Sequence, residues 1–130
     1  MMEKGETAMA KRVMTVDDSQ TVRQALEIIL TEAGYEVVEA VDGQDALDKW
    51  AECSVDMLIA DLHMPKMNGI DLIKEVRQKE GGRFVPIIML TSESQPEMKE
   101  GGKKAGASGW IVKPFSPEQL LAIVRMVCPL

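Results

Sequence analysis

At 130 residues, 45% hydrophobic and 28% charged, the chain fits one globular domain that can bury a core without disulfides or structural zinc. A formal net charge of −6 and a pI near 4.8 argue against direct nucleic-acid binding, which favours a basic face. Cys53 and Cys128, far apart and without metal-ligand spacing, read as reduced thiols, and no apolar run approaches membrane-spanning length.

Met1–Lys11 is polar and lacks the apolar centre of a signal peptide. The expectation is a disordered lead-in over 1–11, a single domain over 12–128, and a cytoplasmic location. Arg12–Val16 then reads as a first buried strand, with Asp17 and Asp18 directly after it. Ser19 is a candidate helix cap, Val22, Ala25, Leu26 and Ile29 recur at helical spacing, and Gly34 ends that helix. Tyr35–Ala40 reads as a second strand closed by the turn signal Asp42-Gly43. A helix over Gln44–Glu52 follows, carrying Ala46, Leu47 and Trp50 on one face.

Met57-Leu58-Ile59-Ala60 is an apolar run that ends by delivering Asp61 to its carboxyl edge. Met64-Pro65 and Met67-Asn68-Gly69 break regular structure there. The spacing predicts a helix over Ile70–Lys79 with Ile70, Ile73 and Val76 inward and Gly81-Gly82 as its stop. Val85–Leu90 is a fourth strand, leading into Thr91-Ser92-Glu93. The helix predicted over Pro96–Ala105 is the weakest, because each of Gly101 and Gly102 costs about 1 kcal/mol relative to alanine. Gly109–Val112 is a fifth strand ending at Lys113-Pro114-Phe115, and Ser116 with Pro117 opens a last helix carrying Leu120, Ile123, Val124 and Val127 inward.

Strands alternating with amphipathic helices five times imply an α/β fold, a five-stranded parallel sheet doubly wound with helices on both faces. In such sheets functional groups collect at the strand carboxyl ends. Asp17, Asp18, Asp61, Thr91 and Lys113 all fall there. Three carboxylates held together repel unless a cation intervenes, and a hard divalent ion such as Mg²⁺, with Mn²⁺ as the alternative, suits oxygen ligands. With Lys113 as a mobile positive charge and Thr91 as a hydroxyl donor, the set resembles a phosphoryl-handling site in which one carboxylate is the nucleophile.

Val16-Asp17-Asp18-Ser19, Asp61-x-x-Met64-Pro65-x-Met67-Asn68-Gly69, Leu90-Thr91-Ser92 and Ala105–Phe115 together are specific. Over Arg12–Val127 the chain resembles a response-regulator receiver domain, and a stand-alone CheY-like one in particular. The resemblance implies the strand order 2-1-3-4-5 and a phosphorelay switch. Asp61 would take a phosphoryl group from the phosphohistidine of a sensor histidine kinase. Asp18, Asp61 and the backbone carbonyl of His63 would ligate Mg²⁺, and Asp17 would hold it through water. Lys113 would pair with a phosphoryl oxygen, and the Lys113-Pro114 bond would be cis. Thr91 and Trp110 would be the switch pair. Output would pass to a downstream protein through the fourth helix, fifth strand and last helix, with no nucleic acid or membrane and a monomer or weak dimer. Chemotaxis signalling is the first reading and a phosphate relay or sink the second. The protein would catalyse only its own phosphorylation and dephosphorylation.

Some positions keep two readings. His63 is either an exposed loop residue offering its carbonyl or an imidazole that, with Glu93, tunes aspartyl-phosphate lifetime. Trp110 is either a switch or a fixed edge aromatic, and Gly101-Gly102 either an easily remodelled helix or a loose surface one. An aspartate-nucleophile phosphatase wants a second acid two residues after the nucleophile, where His63 stands. A nucleotide binder wants a Gly-rich loop where Asp17-Asp18-Ser19 stands.

Overall fold

In the computed structural model, which describes residues 10–92 and 96–130, the apolar runs and amphipathic stretches alternate as the sequence predicts. In chain order they are β1 (Arg12–Val16), α1 (Gln20–Glu32), β2 (Glu36–Ala40), α2 (Gly43–Trp50) and β3 (Met57–Asp61). Then come α3 (Gly69–Arg77), β4 (Ile87–Thr91), α4 (Pro96–Ala105), β5 (Gly109–Val112) and α5 (Pro117–Val127). The sheet runs β2-β1-β3-β4-β5 with every neighbouring pair parallel, which is the order the resemblance implies.

The two-residue period of the strands divides the core into two faces. Met14, Val16, Leu58, Ala60, Ile87 and Met89 point toward α2, α3 and α4, where Trp50, Leu72, Ile73 and Val76 meet them. Val13, Ile59, Ile88, Leu90 and Ile111 point toward α1 and α5, against Leu26, Leu30, Leu120 and Val124. β3 and β4, central and covered on both sides, are buried at every position. Ser19, Asp42, Asn68 and Ser116 cap their helices by accepting a backbone N–H from Val22, Asp45, Asp71 and Gln119. Among the described residues no helix is long and apolar enough to cross a membrane.

Several boundaries differ from the sequence reading, each for a local reason. Tyr35 belongs to the turn, because its N–H caps the Leu30 carbonyl. Asp42 is a cap rather than only a turn residue, so α2 starts at Gly43. β4 begins at Ile87, since Pro86 has no N–H to give a ladder and the Val85 carbonyl is taken by Arg77. On α3 the fully buried residues are Leu72, Ile73 and Val76, with Ile70 only half-buried.

The glycine pair in α4 has a packing role that the sequence did not suggest. A Cβ at Gly102 would collide with the Met89 sulfur, and one at Gly101 would lie 3.1 Å from Ile70 Cδ1. These glycines let α4 sit close on β4 and α3. The close approach accounts for the two glycines by packing against Met89 and Ile70.

Candidate functional site

The register aligns the strand ends. Val16 pairs with Ala60, Asp61 with Leu90, and Thr91 with Val112, so the residues that follow β1 and β5 and those that end β3 and β4 meet along one edge. The edge is centred where β1 lies between β2 and β3, the point at which strand order reverses and a crevice opens. Asp17 is fully buried, Asp61 and Thr91 nearly so, and Asp18 is exposed. One oxygen from each of Asp17, Asp18 and Asp61 lies within 4.8 Å of the others.

Lys113 ties the acids together. Its Nζ donates to Asp17 Oδ2 at 3.0 Å and sits 3.3 Å from Asp61 Oδ1. Its aim is fixed from behind: the Lys113 N–H donates to the Thr91 carbonyl at 2.7 Å, and the Lys113-Pro114 bond is cis, as the resemblance implied. Burial first, and then the Asp17 charge, push the Asp61 carboxyl above its ordinary range, against the opposing pull of Lys113. Burial alone would lower the Lys113 ammonium, but the bond to Asp17 and the charges of both acids outweigh it and hold it above the ordinary lysine value. The edge thus sets an acid whose charged form is disfavoured by burial beside a lysine whose charged form is favoured by its partners.

The loop after β3 closes on this edge by a close approach. Asn68 caps α3 and Gly69 begins it, and a Cβ at Gly69 would strike the Asp61 carbonyl and the Leu62 backbone. Lys66 takes a positive φ of 71° between Pro65 and Met67, a conformation L side chains adopt at a cost. His63 is exposed and gives its N–H to Asp61 Oδ1 at 3.4 Å. Glu93 lies outside the described residues.

Trp110 is 37% exposed on β5, with the Lys99 ammonium of α4 over its ring, 4.9 Å from the centroid. A cavity of about 490 Å³, mostly apolar, opens beside Lys113 and is bounded by Thr21, Val22, Ala25, Pro114 and Phe115.

Two arginines, absent from the sequence reading, brace the surrounding loops. Arg23 of α1 donates to the Asp17 carbonyl at 2.6 Å and to Glu39 at 3.3 Å. Arg77, at the end of α3, donates to the carbonyls of Gly82, Val85 and Gly106. Only the spacing of Arg23, four residues beyond the Ser19 cap and so on the helix face that looks back at the acids, was available as a signal.

The donor set tests well against a hard divalent cation. It is entirely oxygen, and two ligands on one Mg²⁺ stand at most about 4.2 Å apart, close to the spacing within this cluster. Asp17 is engaged on both oxygens, by Lys113 and by the Ser19 N–H at 2.9 Å, which leaves Asp18 and Asp61 as the acids that could ligate a cation directly.

The family model described as "Response regulator receiver domain" matches residues 13–125. The chain is 41% identical over 120 residues to "Chemotaxis protein CheY" of Thermotoga maritima, covering 92% of this chain and 98% of that one. It is 38% identical over 116 residues to "Response regulator ArlR" of Staphylococcus aureus, covering 89% of this chain but 52% of that protein. The solved structure of Vibrio cholerae chemotaxis protein CheY4, crystallised at low pH, superposes with a TM-score of 0.88 at 46% identity, over 91% of this chain and 98% of that one.

Proposed function

The chain belongs to the response regulator receiver domain family, and from that premise we propose that Asp61 is its phosphoacceptor and that residues 12–128 act as a phosphorylation-dependent switch. The observation that carries this reading is the juxtaposition of Asp61 with Lys113 and two further acids at the end of a buried strand. An Asp61 carboxylate oxygen attacks the phosphorus of a kinase phosphohistidine. The P–N bond breaks, and the imidazole leaves with the electron pair. Lys113 stays charged and neutralises one phosphoryl oxygen, and the Thr91 hydroxyl donates to another. The His63 N–H steadies the attacking carboxylate, and the His63 and Glu93 side chains tune the rate of water attack on the product. Asp18, Asp61 and the His63 carbonyl would hold Mg²⁺, with Asp17 behind them, and the bound ion would supply counter-charge for the phosphoryl oxygens.

The signal leaves through the face of α4, β5 and α5. Trp110, at the surface under Lys99 here, exchanges with an inward position when Thr91 turns to the phosphoryl group, a shift in an existing equilibrium. Chemotaxis-type signalling to a protein target is the preferred output. The near-complete coverage of the Thermotoga chemotaxis protein supports it.

Intact-mass spectrometry after incubation with Mg²⁺ and acetyl phosphate, beside Asp61→Asn, tests the chemistry. One phosphoryl adduct is expected, lost with EDTA and absent from the variant. Failure to form the adduct, together with failure to bind beryllofluoride, sinks the reading.

A further inference from the structure

We infer that Arg23 is a positioning residue for the divalent-cation site: it sets the peptide plane that joins the two acids of the β1–α1 loop. The inference rests on the reading that Asp17, Asp18 and Asp61 hold Mg²⁺. The Arg23 side chain is only 13% exposed. Its NH1 donates to the Asp17 carbonyl at 2.6 Å, the shortest bond that loop receives, while its Nε pairs with Glu39 Oε1 at 3.3 Å.

The Asp17 carbonyl and the Asp18 N–H share one rigid plane. Gripping the carbonyl therefore fixes the direction in which the Asp18 Cα and its carboxylate leave the loop. The loop's other bonds hold Asp17 and its far end: the Asp17 N–H reaches the Ala40 carbonyl at 3.2 Å, its Oδ2 accepts from Lys113 Nζ, and its Oδ1 accepts the Ser19 N–H, closing a turn around Asp18. That turn limits the rotation of the plane from the N–H side, and Arg23 is the side chain that grips it at the carbonyl; the Asp18 carboxylate itself is exposed.

Glu39 keeps the guanidinium in place and offsets its charge. Without that offset a cation next to the acidic loop would oppose a metal ion. The Glu39 carbonyl accepts from Lys49 Nζ at 2.6 Å, so the end of β2 is itself held by α2. A guanidinium presents two donors in a fixed fork and can bond both oxygens at once. A lysine ammonium has the charge without the fork. Partners that orient metal ligands typically govern metal affinity by 10- to 100-fold.

The test is an NMR titration of the full chain with MgCl₂ at constant ionic strength, following the amides of residues 17–19 and 61–63. Wild type, Arg23→Lys and Arg23→Met are compared. Arg23→Lys leaves net charge unchanged and is expected to weaken Mg²⁺ about tenfold. Metal affinity of a folded population does not depend on global stability, so a merely structural role would leave it unmoved. Arg23→Met is expected to weaken Mg²⁺ as well, although it removes a positive charge. Should that variant fail to fold, Arg23→Lys decides alone. Affinity within twofold of wild type in Arg23→Lys, or tighter binding in Arg23→Met, overturns the inference and leaves the site reading standing. No Mg²⁺ binding by the wild type overturns both.

Discussion

The α1/α5 face of the sheet and its carboxyl edge are built on opposite terms. On the face, Leu26, Leu30, Ile59, Leu90, Leu120 and Val124 are all fully buried aliphatic residues, and each contact adds to stability. At the edge, two acids are buried against one lysine, Asp61 is held ionised against desolvation, and Lys66 takes a disfavoured backbone angle. Much of the edge opposes folding and is carried by the face. The difference separates residues kept for the fold from residues kept for chemistry, and it has a sign that single substitutions can read.

The largest effect is expected on the face. Leu26→Ala should cost about 3 kcal/mol of unfolding free energy by urea titration, through lost transfer energy and the cavity left behind. A cost below about 1 kcal/mol would break the contrast. Next comes Lys113→Met, which removes the cation from a fully buried Asp17 and should cost about 2 kcal/mol. Most of that should return in the double variant with Asp17→Asn, showing that the loss is an unpaired charge and not lost packing.

The smallest effect carries the opposite sign. Asp61→Asn should stabilise the protein at neutral pH by on the order of 1 kcal/mol, read as a higher melting temperature. The Asp61 carboxyl is raised in the folded state, so its ionised form opposes folding at neutral pH. That penalty falls as pH drops through the raised value. It is gone below the ordinary carboxylate value near 4, where both states are protonated. The gap between variant and wild type should therefore close on acidification. A gap that widened would assign the effect to something other than this charge.

The carboxyl edge was legible because each of its residues directly follows an apolar run. Strand period and parallel order then place Asp17, Asp61, Thr91 and Lys113 without any knowledge of side-chain contacts. What failed to show is what depends on a partner distant in sequence. Gly102 looked like a weak point because glycine lowers helix propensity, yet its meaning lies in the Met89 sulfur pressed against it. Leu72 was passed over for Ile70, although it lies one turn before Val76 and beside Ile73 on the face that is covered. Arg23 and Arg77 carried no reading in the sequence, since little that is local tells an arginine that ends on water from one that ends on a carbonyl.

The bonds of Arg77 give α4 a fulcrum. The guanidinium grips the Gly106 carbonyl just past the helix's last residue and ties it to the two carbonyls ahead of β4. A ten-residue helix is about 15 Å long. A swing of about 10° around the pinned end carries the other end some 2–3 Å, while residues near the pivot scarcely travel. Lys99 lies on the long arm and Ala105 on the short one. On the proposed output through this face, a protein docking along α4 would read a graded displacement, greatest at the end far from the pinned Gly106.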